Sequence, residues 1–262
     1  MTELKTSIEY SPGLAAWLGV DEVALVREDL LPDGGGKKRR ALAQFVDGLG
    51  EIEHIHLLSY AGSHTAYTLS RLLPEVMIHL YGTHSHGGGY EQKMISLLDE
   101  TDNISQRIGS SLSMTMAFNR HRRTSKRGHY FMRIGGSLGE DIPTKHAIKD
   151  TIDTIGKDFH HVVAVASGDL LTSISNQTST VTGVLTQPLA IRTLKYFKLK
   201  MASGLWKATL DQRIKTIREV EELTGQTWDP IFMGTLFAYL KRQRELPSKL
   251  CIWVTCPSGV DW

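Results

Sequence analysis

The sequence predicts an α/β protein built on mostly parallel sheets, and three observations predict it. Short runs rich in Val, Ile and aromatic residues alternate with helical stretches along the chain. Several of those runs are apolar at consecutive positions, as strands covered on both faces must be. With 262 residues, 41% hydrophobic and 22% charged, the chain can bury a full core, which excludes intrinsic disorder.

In chain order, the first strand falls at 23–26, where Val23, Ala24, Leu25 and Val26 are all apolar. A helix at 38–47 leads to a strand at 55–58, a helix at 65–73 and a strand at 76–81. A helix at 90–98, a strand at 130–134 and a helix at 145–155 follow, then strands at 162–166 and 181–185. The stretch 211–223 sets Leu210, Ile214, Ile217, Val220 and Leu223 three or four apart with charges between them, a surface helix with one buried stripe. A helix at 231–243 and a strand at 250–255 end the pattern, and crossovers between parallel strands are expected to be right-handed.

Thirty Lys and Arg against 28 acidic residues leave a net charge of +2, so bulk charge implies no obligate polyanion partner. No apolar run is long enough to span a membrane, and the first residues lack the apolar segment of a secretory signal. Cys251 and Cys256 flank a strand late in the chain, where a buried small hydrophobe is expected rather than a redox pair. A cytoplasmic protein is the expectation.

One junction carries chemistry. Arg27-Glu28-Asp29-Leu30 follows a strand, and Gly34-Gly35-Gly36-Lys37-Lys38-Arg39-Arg40 opens a helix. The nucleotide-binding pattern G-x-x-x-x-G-K-S/T does not fit, because Lys38 stands where Mg²⁺ needs a hydroxyl. Cations at a helix start oppose its dipole by about 0.3–1 kcal/mol each, so they need a reason. A lysine aimed at a cofactor is one.

The run REDL…GGGKKRRAL resembles the "RDDL…GGNKxRKL" segment of pyridoxal-phosphate enzymes of the tryptophan synthase β group, fold type II. The branch it is most similar to is 1-aminocyclopropane-1-carboxylate deaminase and D-cysteine desulfhydrase. Five further segments keep the family's order. Ser59-Tyr60-Ala61-Gly62-Ser63-His64-Thr65 looks like the "SSGNH" or "QSNH" loop, and Arg133-Ile134-Gly135-Gly136-Ser137-Leu138-Gly139 like "PxGGSNPLG". Ala166-Ser167-Gly168-Asp169-Leu170-Leu171-Thr172 stands where the family has a "GSGGT"-type phosphate loop. Trp228-Asp229-Pro230-Ile231-Phe232-Met233-Gly234-Thr235 resembles the "TDPVYxGKA" stretch, and Thr255-Cys256-Pro257-Ser258-Gly259 the terminal "PSxG" or "HTGG" loop.

The resemblance implies a two-lobed, three-layer α/β/α architecture, with a large cofactor domain over 1–58 and 141–262 and a small lid over 59–140. It implies pyridoxal 5'-phosphate as cofactor, a Schiff base on Lys37, and proton movement at Cα by the same amine. Ser167, Gly168, Leu170, Leu171 and Thr172 would hold the phosphate and Ser258 the pyridine nitrogen. Gly62, Ser63, His64 and Thr65 would hold the substrate carboxylate, Ser63 or His64 standing in for the missing asparagine, both counted with Lys37 as catalytic. A homodimer is expected.

Three departures qualify this. The deaminase branch has a tyrosine and a glutamate where this chain has Phe232 and Met233, neither a proton donor nor acceptor of use, so ring opening of aminocyclopropane carboxylate loses support. Asp169 stands where a small residue is expected; either it turns outward as a helix N-cap, the preferred reading, or the cofactor is not bound there. The chain is also short for the family, and a smaller lid would leave room for a bulky substrate.

Arg120, Arg122, Arg123, Lys126 and Arg127 crowd the stretch 120–129, read as a solvated loop or, alternatively, as a contact to a nucleotide or nucleic acid. His54, His56, His84 and His86 show no metal-ligand spacing, so no metal is expected and strand or loop histidines are. His160-His161 reads as a strand-entry cap. Three functions follow: a pyridoxal-phosphate lyase or deaminase of amino-acid metabolism; decarboxylation or elimination on an amino acid joined to a nucleotide or nucleic acid; or a non-catalytic binding module of the same fold.

Overall fold

The computed structural model describes residues 5–32, 36, 38–84, 89–125, 127–132, 142–165, 168–186, 201–202 and 209–255. The chain divides into two compact units. Met1–Leu31, Gly35–Lys37 and Thr144–Asp261 form the first; Pro32–Gly34, Lys38–Pro143 and Trp262 form the second. Residues 38–58, expected with the larger domain, fall in the second unit, because the strand His54–Tyr60 is hydrogen-bonded on both sides, to Met77–Thr83 and His129–Phe131.

The first unit is a six-stranded sheet: β1 (Ser7–Tyr10), β2 (Glu22–Arg27), β7 (His160–Val165), β8 (Val181–Leu185), β9 (Met201–Ala202) and β10 (Lys249–Val254), in the order β1-β2-β10-β7-β8-β9. Only β1 runs antiparallel; every other described pairing is parallel. Period-two alternation fills both faces. Val23, Leu25, Leu250, Ile252 and Val254 point to one core, shared with α1 (Pro12–Leu18), α8 (Leu210–Thr224) and α9 (Phe232–Leu240). Ala24, Val26, Val163, Cys251 and Trp253 point to the other, shared with α6 (Ile142–Ile155) and α7 (Asp169–Ser175). This is the expected three-layer arrangement. Local chemistry sets the helix ends. The Thr209 hydroxyl and the Gln212 side chain form a reciprocal capping box at the start of α8, and Gly225 closes that helix.

The second unit carries a parallel sheet, β3 (His54–Tyr60), β4 (Met77–Thr83), β5 (Ile104–Gly109) and β6 (His129–Phe131), ordered β5-β4-β3-β6. Ile55, Leu57, Ile78 and Leu80 face α2 (Arg39–Asp47), α3 (His64–Leu72) and α4 (Gly89–Asp99). On the opposite face Leu58 and Tyr81 pack on Phe118 of α5 (Ser111–Thr124). The stretch 120–124, read from sequence as loop, is thus the last turn of α5, a helix started by the Ser110 hydroxyl accepting from Ser113 N–H. Among the described residues no helix is long and apolar enough to cross a membrane.

Candidate active site

In the first unit the loops of interest leave the carboxyl ends of β2, β10 and β7, which are neighbours in the sheet. Ligands of open parallel sheets bind beyond that edge. After β2, Arg27 donates through Nε and Nη2 to both oxygens of Asp29 (2.9 and 2.8 Å) and through Nη1 to Glu9 (2.8 Å). Both Arg27 and Asp29 are buried, so this pair fixes the turn Glu28–Leu30. The Glu28 carbonyl, held there, accepts from Gly36 N–H at 2.8 Å. Gly36 sits at φ +75°, and a Cβ on it would meet the Thr255 carbonyl at 2.9 Å. Only glycine fits. The residue before Lys37 therefore lies against the residue that opens the segment leading to Ser258.

After β7, Gly168 caps α7 and Asp169 is its first helical residue. The expectation that Asp169 itself is the N-cap is corrected: glycine takes the left-handed turn that an aspartate would adopt only with strain. Leu170 and Leu171 are buried, leaving only their amides for a ligand, and the Thr172 hydroxyl donates back to the Gly168 carbonyl at 2.9 Å. Asp229 is buried and accepts from the amides of Ile231, Phe232 and Met233 (3.0, 2.6 and 3.1 Å). Burial pushes its carboxyl up to about 6, opposed by those three hydrogen bonds. Met233 is core, with Phe232 packed on it, as befits residues with no proton to exchange.

His160 and His161 lie within β7 rather than ahead of it. The His160 ring contacts the Thr182 hydroxyl at 2.8 Å, and His161 accepts from Trp253 Nε1–H at 3.1 Å. Burial holds His161 at about 4.

In the second unit β3 ends in the Ala61-Gly62-Ser63 turn and α3 begins at His64. Gly62 has φ +69°, and a Cβ there would lie 2.7 Å from Met94 Cβ. Ser63 is the N-cap residue, yet its hydroxyl donates to Ser59 Oγ (3.3 Å) instead of capping the helix. Lys38 Nζ donates to Thr65 Oγ1 at 3.1 Å. Burial, reinforced by the Lys38 ammonium, lowers His64 to about 4, so the imidazole is neutral at physiological pH.

The structure thus brings Gly62, Ser63, His64 and Thr65 together at one strand end, and Gly168, Leu170, Leu171 and Thr172 at another. Lys37, Ser167, Ser258 and the 133–137 segment lie outside the described residues, as do His86, Cys256 and the side chain of Asp169. Sequence reasoning missed Lys38. The signal was the lysine doublet itself, whose cost at a helix start applies to both members.

No protein-family model matches the sequence, and no curated protein matches it. Solved structures do. An ACC deaminase homologue aligns with a TM-score of 0.72 at 21% identity, covering 97% of this chain and 90% of that one. The processed form of threonine deaminase isoform 2 from Solanum lycopersicum aligns at 0.63 and 15%, covering 98% and 84%. A pyridoxal 5'-phosphate-dependent aspartate racemase aligns at 0.64 and 12%, covering 98% and 91%. At such identities the likeness is one of fold: the chain has the tryptophan synthase β-like, fold type II architecture that the motif order implies.

Proposed function

We propose that this protein is a pyridoxal-phosphate-dependent enzyme acting at Cα or Cβ of an amino acid, of lyase or deaminase type. The observation that supports it most is the close approach of Gly36 to the Thr255 carbonyl, a cradle that any side chain would fill. It joins two segments whose family counterparts hold the same cofactor. The residues of these loops fit the group by their chemistry. Lys37 would hold it covalently, Gly168 and the amides of Leu170 and Leu171 its phosphate with Ser167 and Thr172, and Ser258 its ring nitrogen.

Bound pyridoxal phosphate supplies an electron sink for a bond breaking at Cα. The chain does the rest. The Lys37 amine moves the Cα proton. Ser63, its hydroxyl turned from Ser59, and neutral His64 offer hydrogen bonds to the substrate carboxylate, and Lys38, held on Thr65, adds positive charge beside them. A neutral partner at Ser258, with Phe232 and Met233 turned to the core side, suits elimination better than ring opening. A homodimer is part of the proposal.

The purified protein with added cofactor should absorb in the visible, and Lys37→Ala should abolish the band. Borohydride reduction and peptide mapping should place the pyridoxyl mass on Lys37. A colourless protein, or the mass on another lysine such as Lys38, would refute the reading.

A further inference from the structure

The second unit carries a cluster that this chemistry does not use. Strand register assembles it on the α5 face of the sheet. One row across the strands reads Ser105, His79, His56, Phe131. The next holds Arg107 and Tyr81, and the row before it His54 and His129. From α5, His121 closes the far side. Five imidazoles, an arginine and the Ser105 and Ser125 hydroxyls line a cavity of about 240 Å³, and none of its lining side chains is acidic.

The rings are wired together. His129 Nδ1 meets His56 Nε2 at 2.9 Å, His56 Nδ1 meets Tyr81 Oη at 3.1 Å, and Tyr81 Oη meets His121 Nδ1 at 2.5 Å. Each contact needs one proton, and each neutral imidazole carries one. All three are satisfied when the protons point the same way along the chain. One end ring then offers an N–H at its outer nitrogen and the other a bare lone pair. One added proton turns both ends into donors.

His54 Nδ1 and His79 Nε2 form a second contact at 3.0 Å. The rings also stack, His56 on His79 at 4.6 Å and His54 on His129 at 4.4 Å. Crowding works against that extra proton. Burial and mutual repulsion lower His56 to about 3 and His79 to about 4, and lower His129 as well. Arg107 on β5 lowers His79 further, while Glu53, just ahead of β3, is the acidic group acting the other way, on His129. The pocket is built of proton acceptors and holds no counter-charge of its own. Among the described residues no set of three or more His, Cys, Asp or Glu could hold a metal ion, so a cation does not answer the need.

We propose that this pocket binds a phosphate group, as the free ion or a monoester, together with one proton. An anion offsets the burial and mutual repulsion that keep the imidazoles neutral, and the proton it recruits makes both ends of the relay donors. Donors from β3, β4, β5, β6 and α5 surround the cavity on several sides, which suits a tetrahedral oxyanion better than a planar carboxylate. A phosphate ester has its second pKa near 6, so at neutral pH it arrives as nearly a dianion. The exposed Arg122 and Arg123, in the turn of α5 that carries His121, make the approach positive.

The test uses the full chain and inorganic phosphate as probe, with imidazole signals followed by nitrogen-15 NMR and proton uptake by calorimetry in buffers of different ionisation heat. Saturable shifts of the His54, His56, His79 and His129 signals are expected, with uptake of about one proton per anion. Affinity should fall as pH rises from neutral. Arg107→Gln, at an exposed site, should weaken binding about tenfold or more. Tyr81→Phe, which breaks the relay but keeps the ring, should bind with less proton uptake. Phenyl phosphate behaving like the free ion extends the site to monoesters. Unshifted imidazoles, equal binding by Arg107→Gln, binding without proton uptake, acetate binding as well as phosphate, or the same signals answering only to zinc would each overturn the proposal.

Discussion

Arg27 shows how one side chain can govern a loop it does not belong to. Its two-pronged contact to Asp29 holds the Glu28 carbonyl, and that carbonyl holds Gly36. Removing the guanidinium takes two charge-assisted hydrogen bonds from the buried Asp29 carboxylate. Arg27→Ala is therefore expected to cost about 3–5 kcal/mol in chemical denaturation. The double variant Arg27→Ala, Asp29→Ala should recover part of that loss, because the buried charge goes with it. A double variant no more stable than Arg27→Ala alone would show that Asp29 is not the group left unsatisfied. The sequence made this pair visible as a motif but not as a device: R-E-D reads as three charges on a surface until burial shows two of them facing each other. Lys37 and Lys38 show the same limit from the other side. The two are adjacent in the sequence and look alike there, and for Lys38 it takes the 3.1 Å contact to Thr65 to show a role.

Elements with a strong local signal were legible, and those without were not. The strands at 23–26, 162–166 and 250–255 are apolar at nearly every position, because helices cover both faces, and they lie within one or two residues of β2, β7 and β10. β5, Ile-Ser-Gln-Arg-Ile-Gly, sits at a sheet edge and alternates half-buried with exposed positions, so no apolar run marks it. α5 escaped notice for a similar reason: Phe118 is its one fully buried residue, and its arginines read as loop. At α9 the motif resemblance left a local role unseen. Asp229 belongs to a segment resembling a cofactor motif, yet its carboxylate is the acceptor for three amides at the start of that helix. Asp229→Ala should destabilise the protein by about 2–3 kcal/mol, since buried donors lose their partner. Asp229→Asn, which keeps one acceptor oxygen, should cost clearly less. Equal losses would mean that the negative charge, rather than the hydrogen bonds, supports α9.

Over the whole molecule, the shifted groups predict how stability responds to acid. His56 stands at about 3, and His64, His79 and His161 at about 4, all held down chiefly by burial. An unfolded histidine titrates near 6.5, so below that pH the unfolded chain takes up protons that the native one refuses. Stability present above about pH 6.5 is lost as pH falls toward 4. Asp229 works in the opposite sense. Its folded value of about 6 exceeds the unfolded carboxyl value, so its contribution is fullest below about pH 4 and fades as pH rises through 6. Near pH 5 four imidazoles gain a proton on unfolding while one carboxyl loses its own, a net uptake of about three protons. The unfolding midpoint should therefore drop steeply between about pH 7 and pH 5. Thermal melts across that range, without phosphate, measure the slope, and His79→Gln should reduce the uptake by about one proton. A midpoint that stays level on acidification would mean that these rings accept protons in the native state, and with them the assignment of a neutral imidazole cluster would fall.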